Sequence, residues 1–317
     1  MTLRIFFMGT GPFAVPGLEA LALQGHQIAQ VVCQPDRPRG RGQQVRPPAV
    51  KEAAQRLGLE VFQPEKIREE AAWRRLASLE ADLGVVVAYG QMLPGALLDS
   101  PRLGCVNAHA SLLPKYRGAA PIAWALARGE SETGVTIQRM VERMDAGDML
   151  LRESTPLDEG DDLESLTGRL AAMAARLLVE ALRGLEAGSL KAVPQDESLA
   201  TRAPILRKED GAADFRLQAR ELSGRCRAFR RWPGFSCRVG EGGPVLKLHA
   251  VWPGPESGAG EPGSLLEVSP RGWRVACGGG GSVWVEEVQA AGGRVMGAAE
   301  YGRGHAVAPG TRFLPGV

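Results

Sequence analysis

The sequence predicts an α/β protein in which a mostly parallel sheet domain is followed by a small antiparallel β-barrel. Its 317 residues exceed the usual size of one domain and suit two. In the first half, short apolar runs alternate with amphipathic helical patterns, as they do in β-α-β units. After Pro233 the chain is rich in glycine and carries several short strand patterns, which is typical of a small barrel.

The strands and helices of the first domain follow from the period of the apolar residues. The predicted strands are LRIFFMG, QIAQVVCQ, LEVFQP, ADLGVVVAYG, GCVNAHAS and GVTIQRMV. The predicted helices are PGLEALALQ, VKEAAQRLG, EEAAWRRLASLE and a long amphipathic helix from Leu163 to Leu190 that closes the domain. QPDRPRGRGQQVRPP, with four prolines and two glycines, has no periodicity and predicts a long exposed loop.

The character of the chain changes near Ser189. We therefore predict a first domain over residues 1–189, a polar linker over 190–206 and a C-terminal domain over 207–317. The last region begins with the basic helical pattern ARELSGRCRAFRRW. Its predicted strands are SCRVG, VLKLHAVW, SLLEVS, GWRVACG and SVWVEEVQ.

Basic residues cluster in two places although the net charge is only +2. Between residues 34 and 51, Asp36 is the only acidic residue, and the basic ones are Arg37, Arg39, Arg41, Arg46 and Lys51. Residues 201–231 carry nine basic and four acidic side chains, with a dense group at Arg225, Arg227, Arg230 and Arg231. Such patches fit a polyanionic partner, although solvated surface is an equally simple interpretation.

Several classes of protein are disfavoured by the composition. No run of about 18 uncharged apolar residues predicts a transmembrane helix, and MTLRIFFMGTG lacks the pattern of a signal peptide. We therefore expect a cytoplasmic protein without membrane contact. The five cysteines form no CxxC pair and are expected to be free and buried. The four histidines are far apart, so no metal site is expected.

The first strand ends in Gly9-Thr10-Gly11-Pro12-Phe13-Ala14, which fits a dinucleotide-binding fingerprint with Asp36 as the ribose ligand. Pro12 has no N–H to offer a phosphate, and Asp36 precedes a proline in the basic loop. A tight turn that needs small residues is the favoured interpretation. An NAD(P)-dependent dehydrogenase remains an alternative.

The segment NAHASLLPKYRGAAPI carries the strongest chemical signal. Asn107, the only asparagine of the chain, and His109 point to the same side of an extended strand. An amide donor beside an imidazole could stabilise a developing oxyanion, and imidazoles exchange protons near neutral pH. Two alternatives stay open: a purely structural histidine, and a nucleophile–base pair formed by Cys105 and His109.

Two carboxylates flank a glycine in Asp145-Ala146-Gly147-Asp148, directly after the predicted strand GVTIQRMV. One of them could orient His109. A solvated acidic turn is an equally good interpretation of these residues alone.

These residues and several longer runs resemble the folate-dependent formyltransferases, specifically the branch that acts on methionyl-tRNA. The resemblance covers nearly the whole chain. The matching runs are NAHASLLPKYRGAAPI, ETGVTIQRMVERMDAGDML, VVVAYGQMLP, QPDRPRGRG and AFRRWPG. Two departures are the Gly9-Thr10-Gly11 turn, where many relatives have G-T-P, and Gln43-Gln44, where the loop usually carries lysines.

The resemblance implies a Rossmann-like first domain, an OB-like second domain and a catalytic set formed by Asn107, His109 and Asp145. It also implies 10-formyltetrahydrofolate as formyl donor, methionyl initiator tRNA as acceptor, and no metal. Folate contacts are expected from Ser111, Leu112, Leu113, Pro114, Tyr89 and Gly90. Phosphate contacts to tRNA are expected from Arg37, Arg39, Arg41 and Arg46. A formyltransferase for a small amine, such as a nucleotide-linked amino sugar, and an RNA-binding module without catalysis are the alternatives.

Overall fold

A computed structural model describes residues 2–39, 42, 44–256, 260–305 and 307–316. Contacts between residues divide the chain into two compact units. The first comprises Met1–Pro121, Glu132–Pro156 and Ser165–Pro204, and the second comprises Ile122–Ser131, Leu157–Glu164 and Ile205–Val317. The boundaries expected from the sequence, 1–189, 190–206 and 207–317, stay predictions.

The described residues of the first unit form the strands β1 (Arg4–Gly9), β2 (Gln27–Val32), β3 (Arg37–Arg39), β4 (Gln44–Arg46), β5 (Val61–Phe62), β6 (Leu83–Val87), β7 (Cys105–His109), β8 (Glu132–Arg139) and β9 (Met149–Pro156). Seven of them form one sheet in the order β5-β2-β1-β6-β7-β8-β9. The first four pairings in that order are parallel, whereas β7 with β8 and β8 with β9 are antiparallel. The prediction of an α/β fold with a mostly parallel sheet is confirmed.

The sheet is mixed at one edge, and the sequence analysis did not anticipate this. The run GVTIQRMV does form β8, but it is antiparallel, because a buried apolar run is compatible with either strand direction. The edge strand β9 was not predicted. Its burial alternates along Met149–Pro156, as expected for an edge strand with one face towards the core.

The segment predicted as a long exposed loop contains two short strands, which corrects that prediction. Strands β3 and β4 pair antiparallel, with Arg37 opposite Arg46 and Arg39 opposite Gln44. Arg37 precedes a proline, and a residue in that position favours extended backbone. The β-branched Val45 favours the same conformation in the other arm.

Six helices begin in the first two thirds of the chain: α1 (Val15–Leu23), α2 (Ala49–Arg56), α3 (Glu70–Ala77), α4 (Gly95–Leu98), α5 (Pro121–Ala127) and α6 (Leu163–Glu186). A short 3₁₀ turn over Pro12–Ala14 precedes α1. There a Cβ on Gly9 would lie 2.7 Å from that of Ala14, so the close approach requires glycine. The long helix α6 ends four residues earlier than predicted, before Gly188 adopts a left-handed φ of 64°.

One apolar core of the first unit lies under β1 and β6. It includes Phe6, Met8, Val86 and Leu97, all at most 4% exposed. This burial fixes the strands whose ends carry the polar residues described below, since close-packed cores allow little movement.

The second unit contains α7 (Ala219–Phe229), α8 (Ala298–His305) and seven strands: β10 (Ser236–Val239), β11 (Val245–Pro253), β12 (Leu265–Ser269), β13 (Gly272–Ala276), β14 (Ser282–Ala290), β15 (Val295–Gly297) and β16 (Phe313–Pro315). The sheet order is β12-β13-β14-β11-β10-β16, with β15 beside β14, and the pairings are antiparallel. Helix α5 contributes Trp124, whose ring packs edge-on at 5.8 Å from that of Phe229. The five predicted strands and the predicted helix are present, whereas β15, β16 and α8 were not predicted.

Candidate active site

Strand β7 presents Asn107 between two neighbouring strands. In the register of the sheet it lies opposite Val86 of β6 and Gln138 of β8. Its Nδ2 donates to the carbonyl of Val86 at 3.1 Å, which uses one of the two amide hydrogens. Its Oδ1 is buried without a hydrogen-bond partner among the residues that the structure describes. The second Nδ2 hydrogen is therefore the donor that this side chain can offer a ligand.

His109, two residues further along β7, is buried, with 6% of its surface exposed. Its Nε2 lies 2.9 Å from the carbonyl oxygen of Tyr116. Because a carbonyl only accepts hydrogen bonds, Nε2 carries a proton. Its Nδ1 lies 3.6 Å from Oδ1 of Asp145, so a proton taken up at Nδ1 would face a carboxylate.

The carboxylate of Asp145 is held at both oxygens. Its Oδ2 accepts from the backbone N–H of Gly118 at 2.8 Å, and its Oδ1 accepts from Nε2 of Gln138 at 3.0 Å. The turn approaches β8 so closely that a Cβ on Gly147 would lie 1.8 Å from the carbonyl of Arg139. The glycine between the two acidic residues is thus required by this approach rather than by its φ angle.

Unusual backbone conformations gather around these side chains. Among the described residues four non-glycines have a positive φ, and three of them are Ala88, Tyr116 and Asp145, at 47°, 61° and 52°. Each such conformation costs about 1–3 kcal/mol and persists only where its surroundings impose it. Tyr116 contacts His109 and Asp145 faces it, so two of these strained residues lie at one site.

The predicted folate segment Ser111–Pro114 is mostly committed to internal contacts. The Ser111 hydroxyl donates to the Lys115 carbonyl at 2.6 Å, and the Ser111 carbonyl accepts from the Thr136 hydroxyl at 2.7 Å. Leu113 is fully buried, and Pro114, which follows a cis peptide bond, is buried too. Leu112 is half-buried, so it is the side chain of this segment with surface left for a ligand.

Tyr89 and Gly90 follow β6, and they differ in accessibility. The Tyr89 ring belongs to the apolar core at 2% exposure, and its hydroxyl is buried without a partner among the described residues. Burial raises the pKa of this hydroxyl. Its carbonyl accepts from the Thr10 hydroxyl at 2.8 Å. Gly90 is exposed with a φ of 92°, so its backbone is the accessible part of this pair.

The nucleophile–base alternative is disfavoured by the surroundings of Cys105. The thiol is buried, its Sγ lies 3.9 Å from the Leu97 carbonyl, and burial raises its pKa to about 12. A thiol that stays protonated at neutral pH is a poor nucleophile. The cysteines Cys33, Cys105, Cys226, Cys237 and Cys277 are all free and buried, as predicted.

Asp36, the residue that a dinucleotide would need, is already engaged. Its carboxylate accepts from Lys51 and from Gln63, each at 2.7 Å. These hydrogen bonds, led by that of Gln63, hold the pKa of Asp36 below its usual range. Asp36 therefore anchors this segment to Lys51 and Gln63. Both of its carboxylate oxygens are engaged, so neither is left to bind a ribose.

Two of the four loop arginines can be described fully. Arg37 and Arg46 are exposed and lie directly opposite each other on β3 and β4. Like charges in this position repel, and the Glu65 carboxylate offsets the charge of Arg37 at 2.5 Å. Arg41 and the Arg39 side chain lie outside the described residues.

The arginines of the second basic patch, which lie on α7 and directly after it, are largely engaged by the acidic segment Leu157–Glu164 of the same unit. Arg227 donates to the carbonyls of Asp158 and Asp161, Arg230 pairs with Asp162 at 2.7 Å, and Arg231 pairs with Glu164. The Arg225 guanidinium lies 6.0 Å from the centre of the Trp124 ring. The second basic patch therefore offers less free charge than its composition suggests.

Sequence reasoning missed Gln138 and Gln195. Gln138 is a polar residue, 2% exposed, in the buried stretch of β8, and a buried amide needs hydrogen-bond partners. Gln195 has no such signal, because it lies in an aperiodic polar segment. Its Nε2 reaches the Asp145 carbonyl at 2.9 Å.

Metal-ligand clusters and membrane-spanning helices are absent among the residues that the structure describes. No group of three or more His, Cys, Asp or Glu side chains within them could hold a metal ion. No helix within them is long and apolar enough to cross a membrane.

The sequence of this chain matches a known protein family. A family model for formyl transferases matches residues 2–182, and a model for the formyl transferase C-terminal domain matches residues 205–306. A methionyl-tRNA formyltransferase of Trichlorobacter lovleyi is 45% identical over 312 residues, which cover 98% of this chain and 97% of the relative. One of Acidobacterium capsulatum is 46% identical, covering 98% and 99% of the two chains.

The fold is shared with a solved N-formyltransferase of Helicobacter canadensis, crystallised with folinic acid and dTDP-3-aminofucose. The TM-score is 0.63 at 14% identity, and the match covers 90% of this chain and 99% of the other. An identity that low supports only a shared fold. The full-length relatives and the two matched family models define the family. The chain belongs to the formyl transferase family.

Proposed function

We propose that this enzyme transfers the formyl group of 10-formyltetrahydrofolate to the amino group of methionyl initiator tRNA. The observation that carries the proposal is the convergence of Asn107, His109 and Asp145 at the end of β7, in a chain whose full-length relatives bear that activity in their names. The dehydrogenase alternative finds no support, since Asp36 is bound by Lys51 and Gln63.

In this proposal the acceptor amine attacks the formyl carbon, and the carbonyl oxygen gains negative charge. Asn107 donates its free amide hydrogen to that oxygen, because its other hydrogen is held by Val86. His109 in its protonated form adds positive charge at the same place, and the Asp145 carboxylate lies 3.6 Å from its Nδ1. As the new C–N bond is completed, the bond from carbon to N10 breaks and the proton lost by the amine passes to N10.

For the folate, the proposal assigns the accessible parts of the predicted contact set: the Leu112 side chain and the Gly90 backbone. Ser111, Leu113 and Pro114 act by holding this segment in place through their internal contacts. Tyr89 acts through its carbonyl and its packing in the core.

For the tRNA, we assign phosphate contacts to Arg37, Arg39, Arg41 and Arg46. The close opposition of Arg37 and Arg46 supports this assignment, because a polyanion would relieve the repulsion between them. The antiparallel second unit is proposed to be an OB-like, RNA-binding barrel.

A direct assay tests the proposal. Purified enzyme receives 10-formyltetrahydrofolate with methionyl initiator tRNA, and in parallel with nucleotide-linked amino sugars. Formylation of the tRNA with no turnover of the sugars is the expected result. Formylation of a sugar alone would replace the proposed acceptor, and folate-independent RNA binding without any turnover would refute catalysis.

A further inference from the structure

Gln195 contacts the turn that carries the catalytic carboxylate. Its Nε2 lies 2.9 Å from the carbonyl of Asp145 and 2.7 Å from that of Gly147, and it lies 3.4 Å from Oε1 of Gln138. The Gln195 amide is therefore within hydrogen-bond distance of two backbone carbonyls of the turn Asp145–Asp148. The same amide also contacts the side chain that binds the Asp145 carboxylate.

The orientation of this amide is fixed by chemistry. Both Nε and Nη2 of Arg117 donate to Gln195 Oε1, at 3.0 and 2.7 Å. A guanidinium has donors only, and backbone carbonyls have acceptors only, so Oε1 must face Arg117 and Nε2 must face the turn. Arg117 is in turn held by a bidentate ion pair with Glu197, at 3.0 Å for each hydrogen bond.

The turn needs such support. Asp145 adopts a φ of 52°, which a residue with a Cβ adopts at a cost of about 1–3 kcal/mol. Two hydrogen bonds from one rigidly oriented amide, to the carbonyls of Asp145 and Gly147, stabilise this backbone. Gln138 extends the same network to the carboxylate oxygen nearest His109.

We propose that Gln195 is a positioning residue for formyl transfer, which sets the place of the Asp145 carboxylate relative to His109. This inference rests on the proposed function and deepens it. Gln195 lies between the two stretches matched by family models, 2–182 and 205–306. A segment that separates the two matched regions thus supplies a component of the active site.

Two substitutions test whether the Nε2 donor of Gln195 is needed. Gln195→Glu keeps the size and the contact of Oε1 with Arg117, but it replaces the donor by an oxygen that faces two carbonyls. Gln195→Met removes the polar group and keeps most of the volume. The matched control is Lys191→Ala, which truncates an exposed side chain in the same segment.

We expect both variants to lose turnover by about tenfold or more, because a small misplacement of catalytic groups can cost on the order of 10²-fold. The Michaelis constants for tRNA and folate should stay within about twofold, since Gln195 is not assigned to either substrate. Lys191→Ala should behave as wild type. Thermal melting of each variant verifies that it is folded.

The decisive measurement repeats Gln195→Glu in an Asp145→Asn background, with excess enzyme in single-turnover assays. A residue that acts through Asp145 should then cost little further activity. Turnover of Gln195→Glu equal to wild type, or the same loss in both backgrounds, would overturn the inference. Failure of the wild-type enzyme to formylate methionyl-tRNA would instead refute the proposed function, so the two failures are distinguishable.

Discussion

Replacing Asn107 by alanine separates its chemical role from its structural role. The side chain uses one amide hydrogen on the Val86 carbonyl at 3.1 Å and has a second hydrogen free. If that second hydrogen binds the oxyanion, its removal should lower kcat by about 10²–10³-fold, which corresponds to about 2.7–4 kcal/mol of transition-state stabilisation. The loss should fall on kcat rather than on the Michaelis constants, since the interaction forms only as charge develops.

The structural cost of the same change is much smaller. Losing one neutral hydrogen bond to the Val86 carbonyl should lower the free energy of unfolding by about 1 kcal/mol. For a chain of this size, that lowers Tm by no more than about 4 °C. Circular dichroism melting and single-turnover formylation of methionyl-tRNA therefore give two readouts of different magnitude. His109→Ala should show the same combination of large kinetic and modest thermal loss.

Ser154→Ala, an exposed position on the edge strand β9, serves as the control and should match wild type in both measurements. An Asn107→Ala protein that melts normally and retains turnover within about threefold of wild type would show that no oxyanion is bound there. A protein that loses turnover only because it has unfolded would show a large drop in Tm, which the hydrogen-bond estimate of about 1 kcal/mol excludes.

Three more outcomes are expected. Asp145→Asn should lower kcat with little change in folate affinity measured by calorimetry, while Asp148→Asn should matter less; the reverse order would mean that Asp148 is the catalytic carboxylate. A folate should raise Tm by mass action and NAD or NADP should not; stabilisation by a nicotinamide cofactor would support a dehydrogenase. Replacing all four loop arginines by alanine should weaken tRNA use and flatten its salt dependence, with folate binding unchanged; equal rates and equal salt slopes would contradict the loop assignment.

The sequence was sufficient for the elements whose signal is local. The five parallel strands, the long helix α6 and the catalytic candidates on β7 all follow from apolar period and residue type. Strand direction does not, because the apolar run of β8 suits either pairing. The edge strand β9 was missed because MLLRESTP does not alternate in polarity: three apolar residues precede four polar ones, although the burial of the folded strand alternates.

The missed part of the site has a similar cause. Asn107 and His109 are two residues apart, so a strand brings their side chains to one face. Gln195 contacts Asp145 at a sequence separation of 50 residues, and nothing in the polar segment around it shows a period or a motif. Contacts of that range depend on tertiary packing, which short-range patterns do not encode.

The backbone hydrogen bonds of residues 193–203 limit where the enzyme can be truncated. Val193 and Met149 exchange backbone hydrogen bonds at 2.8 and 2.9 Å. The backbone N–H of Arg117 donates to the Thr201 carbonyl at 2.9 Å, and the Arg117 carbonyl accepts from the N–H of Ala203 at 2.8 Å. A fragment ending at residue 182, where the first family match stops, would lose these bonds and leave strand edges and the Asp145 turn unsupported. A fragment ending at Pro204, the limit of the first compact unit, would retain them. Any catalytic fragment of this chain is therefore expected to extend about twenty residues beyond the first family match.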